Sequence, residues 1–250
     1  MRVRPASQPA LASLVVPPNG TSRRMTPPSP DSAHIDLSPA SSSRSGSTML
    51  PWLWNAGKNR LWYERELRVY RYPLEKPPSV PRPTIFRRDC FDDLRFYERS
   101  CKEQHQAAAY RTLANERMAQ GFHLYTFVEH GRLLHYGWLI DRQARGEDGW
   151  VDQVYFPPPE TAVLFDHFTY PFARGRGLYF QALCRLLHDA RDLARARQAY
   201  VTVFAPNGPS RRVIEKVGFQ HQGSLFKKRR LLWSKRYAVS AGGQFTSALL

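Results

Sequence analysis

Residues 170–179 read Tyr-Pro-Phe-Ala-Arg-Gly-Arg-Gly-Leu-Tyr, YPFARGRGLY. Two arginines alternate with two glycines ahead of an apolar run at Tyr179, Leu183, Leu186, Leu187, Ala190 and Leu193. That spacing falls on one face of a helix, so the period predicts an amphipathic helix opening at Gly177. Upstream, Ala162 to Tyr170 (AVLFDHFTY) is aromatic and apolar and reads as a buried strand. A strand that turns through two glycines into a helix can aim the amides of Gly175, Arg176, Gly177, Leu178 and Tyr179 at one point. The helix dipole favours an anion there, and Arg174 and Arg176 add charge. The stretch is either a pyrophosphate cradle or a basic surface turn that starts a helix.

Neighbouring motif classes fit less well. The Gly-Lys-Ser/Thr of a Walker loop does not follow, and the third glycine of the dinucleotide fingerprint is missing. RNA-binding Arg-Gly tracts are repeated and disordered, whereas this one is single and flanked by regular structure.

Working outward, Leu67 to Tyr72 reads as a strand and Pro77 to Pro83 as a loop. Asp89 to Cys101 has helical spacing at Phe91, Leu94, Phe96 and Tyr97, and Gln104 to Gln120 reads as a second helix ended by Gly121. Phe122 to Val128 and Leu133 to Ile140 form a hairpin around Gly131, and Arg142 to Gly149 is a polar loop. Ala199 to Phe204 is β-branched and strand-like, Ser210 to Val217 is a short helix closed by Gly218, and Phe219 to Lys227 with Leu231 to Tyr237 make a closing hairpin. The expected fold is α/β: a mixed, mostly antiparallel central sheet with one parallel pair and flanking helices.

Residues 1–48 hold 8 of the 20 prolines, 11 serines and no aromatic residue. Such a segment buries too little apolar surface to offset its ordering, so it reads as a disordered tail unless translation starts at Met25 or Met49. The domain is expected over 49–240, with 241–250 a flexible C-terminal tail. The short apolar patch Ala10 to Val16 is cut by Pro17-Pro18, so no signal peptide is read. No apolar run approaches the ~20 residues of a membrane span. The three cysteines, Cys90, Cys101 and Cys184, fit neither a zinc spacing nor a disulfide framework and read as reduced cytoplasmic thiols. No metal is expected.

The formal net charge is +16, and no acid follows Glu215. Anionic partners are implied. Lys227, Lys228, Arg229, Arg230, Lys235 and Arg236 surround Trp233, so a basic hairpin could hold RNA or an acidic partner.

About thirty residues past the opening stretch lies NGPSRRVIEKVGF, Asn207 to Phe219. Pro209 suits a first helical turn and Ser210 can help cap it. Together the two stretches resemble the GCN5-related N-acetyltransferase superfamily. Arg174, Gly177 and Tyr179 occupy that family's Arg/Gln-x-x-Gly-x-Gly/Ala loop, with tyrosine in place of the last small residue. Thr169-x-Pro171 is similar to the Val-x-Pro ahead of it. Asn207, Ser210, Glu215, Lys216, Gly218 and Phe219 match the family's Asn-x-x-Ser…Glu-Lys-x-Gly-Phe, whereas Ile214 stands where many members carry a tyrosine acid.

The resemblance implies an acyl-CoA-dependent N-acyltransferase, with acetyl-CoA the expected donor and an amine the acceptor; the basic balance of the chain suits an anionic one. The donor would lie where the Ala162–Tyr170 and Ala199–Phe204 strands splay. Its pyrophosphate would sit on Arg174, Gly175, Arg176, Gly177, Leu178 and Tyr179, its pantetheine against Phe168, Thr169 and Tyr170, with Asn207 and Ser210 nearby. Asp166 and His167 border the expected cleft. Strand alternation sends them to opposite faces, and the resemblance favours Asp166 as base. Tyr170 or Tyr179 could replace the missing acid. The other class left open is a catalytically silent binding module using the basic hairpin. Aromatic residues Trp138, Phe165 and Phe168 would suit a longer acyl chain or plain core packing. Oligomeric state is not written in the sequence.

Overall fold

The computed structural model describes residues 62–79, 86–101, 104–143, 145–231, 233–241 and 246–249. The tail expected over 1–48 lies outside the described residues.

The elements are β1 (Trp62–Pro73), β2 (Arg87–Arg88), a 3₁₀ turn (Phe91–Phe96), α1 (Ala107–Ala119), β3 (His123–Glu129), β4 (Arg132–Ile140), β5 (Gly146–Asp148) and β6 (Gln153–Phe156). Then come β7 (Thr161–Thr169), a 3₁₀ turn (Pro171–Ala173), α2 (Leu178–Asp192), β8 (Gln198–Phe204), α3 (Gly208–Val217), β9 (Gln220–Arg230), β10 (Trp233–Ser240) and β11 (Thr246–Leu249).

Eight strands form the main sheet in the order β10-β9-β1-β8-β7-β4-β3-β2, and β11-β6-β5 form a small second one. All recorded pairings are antiparallel except β7 with β8. A parallel pair needs a crossover, and α2 supplies it. The first strand is not at an edge: β1 runs between β8 and β9 and pairs with both.

Period-two alternation builds a core on each face of the sheet. Leu139, Leu164 and Val201 pack with Leu183, Leu186 and Leu187 of α2 and Ile214 of α3. Their chain neighbours Ile140, Val163 and Tyr200 pack on the other face with Leu94 of the first 3₁₀ turn and Tyr110 and Ala114 of α1. The expected mixed sheet with flanking helices is the fold observed.

Some local expectations are corrected. Asp89 to Cys101 forms only the 3₁₀ turn, because Tyr97 turns extended and stacks on Tyr110 at 4.2 Å instead of continuing a helix. The helix expected from Gln104 starts at Ala107, Gln106 being extended. The polar loop at 142–149 contains β5, paired with β6. Thr246–Leu249, expected in a flexible tail, pair with β6 as β11. Among the described residues no helix is long and apolar enough to cross a membrane.

Candidate functional site

The site begins where the parallel pair comes apart. β7 and β8 pair from Thr161↔Gln198 to Leu164↔Val201. Beyond those residues each strand continues fastened to its other neighbour, β7 to β4 as far as His135↔Thr169 and β8 to β1 as far as Leu67↔Phe204. Phe165–Thr169 and Thr202–Phe204 therefore border a split whose facing backbone groups are unpaired by the sheet.

A bulge in β7 shapes one wall. Trp138 pairs with Phe165 and Tyr136 with Phe168, so Gly137 alone faces both Asp166 and His167. Asp166 takes a positive φ of 49°, a conformation a non-glycine residue holds only when its surroundings impose it. Despite the bulge, Asp166 and His167 point to opposite faces.

Asp166 turns toward α1. Its Oδ2 accepts from Arg117 Nη1 at 2.5 Å and from the Tyr110 hydroxyl at 3.5 Å. The Arg117 guanidinium is buried and lies 5.1 Å from the Trp138 ring and 5.0 Å from Phe165. Burial works against its charge, but Asp166 and Tyr110 outweigh that and hold its pKa above the usual value. The carboxylate expected as base is thus held in a largely buried ion pair with Arg117.

His167 turns toward α2. Its ring lies against Gly137, where a Cβ would stand 2.1 Å from Nδ1. The Tyr179 ring is 5.3 Å away and that of His135 5.8 Å away. His135 Nδ1 bonds to Thr169 Oγ1 at 2.8 Å, but His135 Nε2 and both nitrogens of His167 are buried without partners. Burial lowers both imidazoles, His167 to about 3, so both are neutral near pH 7. Each unmade bond of this kind costs roughly 1–3 kcal/mol.

The two tyrosines proposed as acids differ. The Tyr170 hydroxyl donates to Glu98 O at 2.9 Å and accepts from Glu98 N at 3.0 Å. These bonds pin the chain after the first 3₁₀ turn and direct the hydroxyl proton at the Glu98 carbonyl. Tyr179 Oη accepts one long bond, 3.4 Å, from Ser210 Oγ on α3. Burial raises Tyr179 to about 12, so it keeps its proton.

The opening stretch forms the rim. Gly175 and Gly177 have φ of 80° and 73°, and Gly177 caps α2 with no side-chain cap bond among the described residues. A Cβ on Gly175 would meet nothing within 4 Å. These glycines are needed for the left-handed backbone rather than for room. The open amides and the dipole of a long helix suit an anion. The arginines divide the work: Arg176 forms a bidentate pair with Glu129 at 2.8 and 3.0 Å, while exposed Arg174 bonds Thr169 O through Nε at 3.3 Å. Across the split, Asn207 caps α3 by accepting from Ser210 N at 3.2 Å.

The basic hairpin is partly neutralised. Lys227 pairs with Asp152 and Lys228 with Glu64, while Phe226 and Tyr237 stack on each other at 4.8 Å rather than lying open. Sequence reasoning missed Arg117, His135 and Gly137. An isolated glycine inside a strand signals a bulge or a close approach, so Gly137 was findable. Nothing local marks Arg117 as Asp166's partner, 49 residues away.

The sequence profile of the acetyltransferase (GNAT) domain matches residues 85–220 of the 250. No curated protein matches the chain. Among solved structures, a GNAT-family acetyltransferase from Colwellia psychrerythraea is similar over 72% of this chain and 62% of its own, at 14% identity and a TM-score of 0.49. A GCN5-related N-acetyltransferase from Sphaerobacter thermophilus is similar over 76% and 57%, at 11% identity and a TM-score of 0.44. An acetyltransferase structure with acetyl-CoA from Clostridium acetobutylicum is similar over 54% and 89%, at 15% identity and a TM-score of 0.37. The chain thus spans about three fifths of the length of the first two.

Proposed function

The chain belongs to the GNAT acetyltransferase family, and we propose that it passes an acetyl group from acetyl-CoA directly to an amine held in the split between β7 and β8. One observation carries this reading: the strand that leaves its parallel partner after Leu164 runs straight into the glycine turn with the uncapped amides of α2. An opening and an anion seat are thereby joined by one continuous stretch of chain.

In this reading the amides from Gly175 to Tyr179 hold the pyrophosphate, with Arg174 as the mobile charge and Arg176 bracing the turn against β3. The unpaired backbone of Phe168 and Thr169, with Asn207 and Ser210 opposite, receives the arm that carries the acyl group. The acceptor comes from the α1 face. There Arg95 and Arg132 line a pocket with Glu98, Phe172 and Tyr170, a rim on which the two cations outnumber the one acid.

Proton transfer narrows the acceptor. Asp166 is bound to Arg117, and the two histidines are too weakly basic to accept a proton and hold it. An amine that is already partly neutral suits such a site. Deprotonation at pH 7 costs about 1 kcal/mol for an α-amine near pKa ~8 and roughly 4–5 kcal/mol for a lysine near ~10.4. The favoured acceptor is therefore an α-amine or another weakly basic amine, and its proton leaves to solvent.

The test is acetyl-CoA turnover, followed by thiol release, with two peptides: one offering only an α-amine, the other only a lysine amine. Turnover of the first, and of the second only at high pH, is expected. Failure to bind acetyl-CoA at high micromolar concentration overturns the donor reading; preference for lysine at pH 7 overturns the acceptor reading.

A further inference from the structure

Buried polar groups nearly always have partners, so a cluster that lacks them asks for one. Three such atoms, His167 Nδ1 and Nε2 and His135 Nε2, lie together on the α2 side of the split. Their rings contact Phe86, Gly137, Thr169 and Tyr179, all uncharged. A neutral imidazole offers one donor and one acceptor. A secondary amide, with one N–H and one C=O, is its complement. A charged ligand group would find no counter-charge among these contacts and would be desolvated without compensation.

Tyr179 covers the pair. Its ring lies 5.3 Å from His167 and 6.1 Å from His135, and the long bond from Ser210 is its recorded polar tie. It is also the second residue of α2, beside the anion seat. A ligand anchored at the helix terminus meets this ring as its arm turns into the split.

We propose that His167, seconded by His135, is a specificity subsite for an uncharged amide in the acyl donor's arm, uncovered when the Tyr179 ring swings aside. The proposal rests on the acyl-CoA reading above and adds the side chains that read the arm.

Calorimetric titration of the full chain with CoA and with ADP tests it. CoA carries amides in its arm; ADP has the pyrophosphate and no arm. His167→Phe keeps a ring of similar shape and removes both nitrogens. It is expected to weaken CoA about tenfold, the worth of one to two hydrogen bonds, and to leave ADP unchanged. His167→Gln, which restores a donor and an acceptor, should recover most of the loss. An unchanged CoA affinity in His167→Phe overturns the proposal, because a buried water then completes the histidines. Equal weakening of CoA and ADP also overturns it, since the effect is then general damage. Should His167→Phe not fold, His135→Phe is read the same way, with a smaller, arm-specific loss expected and an equal or absent loss fatal. Wild-type protein that binds neither ligand removes the acyl-CoA reading itself, a result distinct from loss confined to the variants.

Discussion

The imidazole of His167 occupies the space a Cβ on Gly137 would need: the added carbon would stand 2.1 Å from Nδ1 and 2.5 Å from Cε1. Both residues sit at the bulge, across which Asp166 and His167 still point to opposite faces. Gly137→Ala should therefore expel the ring or flatten the bulge. Overpacking of this kind costs about 1–3 kcal/mol. Urea unfolding should show that loss, and acetyl-CoA affinity should fall with it. Wild-type stability together with wild-type affinity would mean that the ring moves freely and the close approach is incidental.

Gly177 tests the anion seat. Its φ of 73° disfavours any side chain, so Gly177→Ala measures strain alone. Gly177→Glu adds a carboxylate at the end of α2, where an incoming phosphate would sit. Acetyl-CoA binding should be modestly weaker in the first variant and abolished in the second. Retained micromolar affinity in Gly177→Glu would refute the cradle.

The fold was legible because its decisive signals are local. Glycines at 175, 177 and 218 and the helical period of α2 each act within a few residues of themselves and stand where the sequence placed them, whereas the cap of α3 is Asn207 rather than the expected Ser210. The site was legible only in outline. Asp166 and His167 were identified, and their opposite orientation was anticipated from strand alternation. Their partners lie far along the chain: Arg117 comes from α1, and His135 and Gly137 come from the neighbouring strand. The tie of Tyr170 to the Glu98 peptide, 72 residues away, was hidden for the same reason, since only tertiary structure brings the two together.

The Arg117–Asp166 pair predicts an asymmetry between stability and catalysis. Removing one partner of a largely buried pair leaves the other uncompensated and costs about 3–5 kcal/mol. Arg117→Ala and Asp166→Asn should both unfold at markedly lower urea concentration. If Asp166 organises the bulge rather than accepting the amine's proton, Asp166→Asn should lower the rate while leaving the shape of the pH–rate profile unchanged. Loss of the acid limb of that profile in Asp166→Asn would return the base role to this carboxylate.

Asp148 gives a pH dependence of stability that is separate from catalysis. It is buried between β5 and β6, and burial pushes its carboxyl up to about 6, although Val151 and Trp150 donate their amides to Oδ1 at 3.2 and 2.8 Å and pull the other way. The folded-state pKa lies above the unfolded value of about 3.9, so the folded chain binds the proton more tightly. Stability should therefore rise as pH falls from about 6 toward 4 through this group, and the ionised form should cost roughly 2–3 kcal/mol above pH 6. Asp148→Asn keeps an oxygen for both amides and removes the buried charge. It should stabilise the protein at pH 8 by about that amount, with the gain shrinking toward zero near pH 4. Urea unfolding of both proteins between pH 4 and 8 measures the difference directly. A gain that does not change with pH would show that the charge of Asp148 is not what the asparagine relieves.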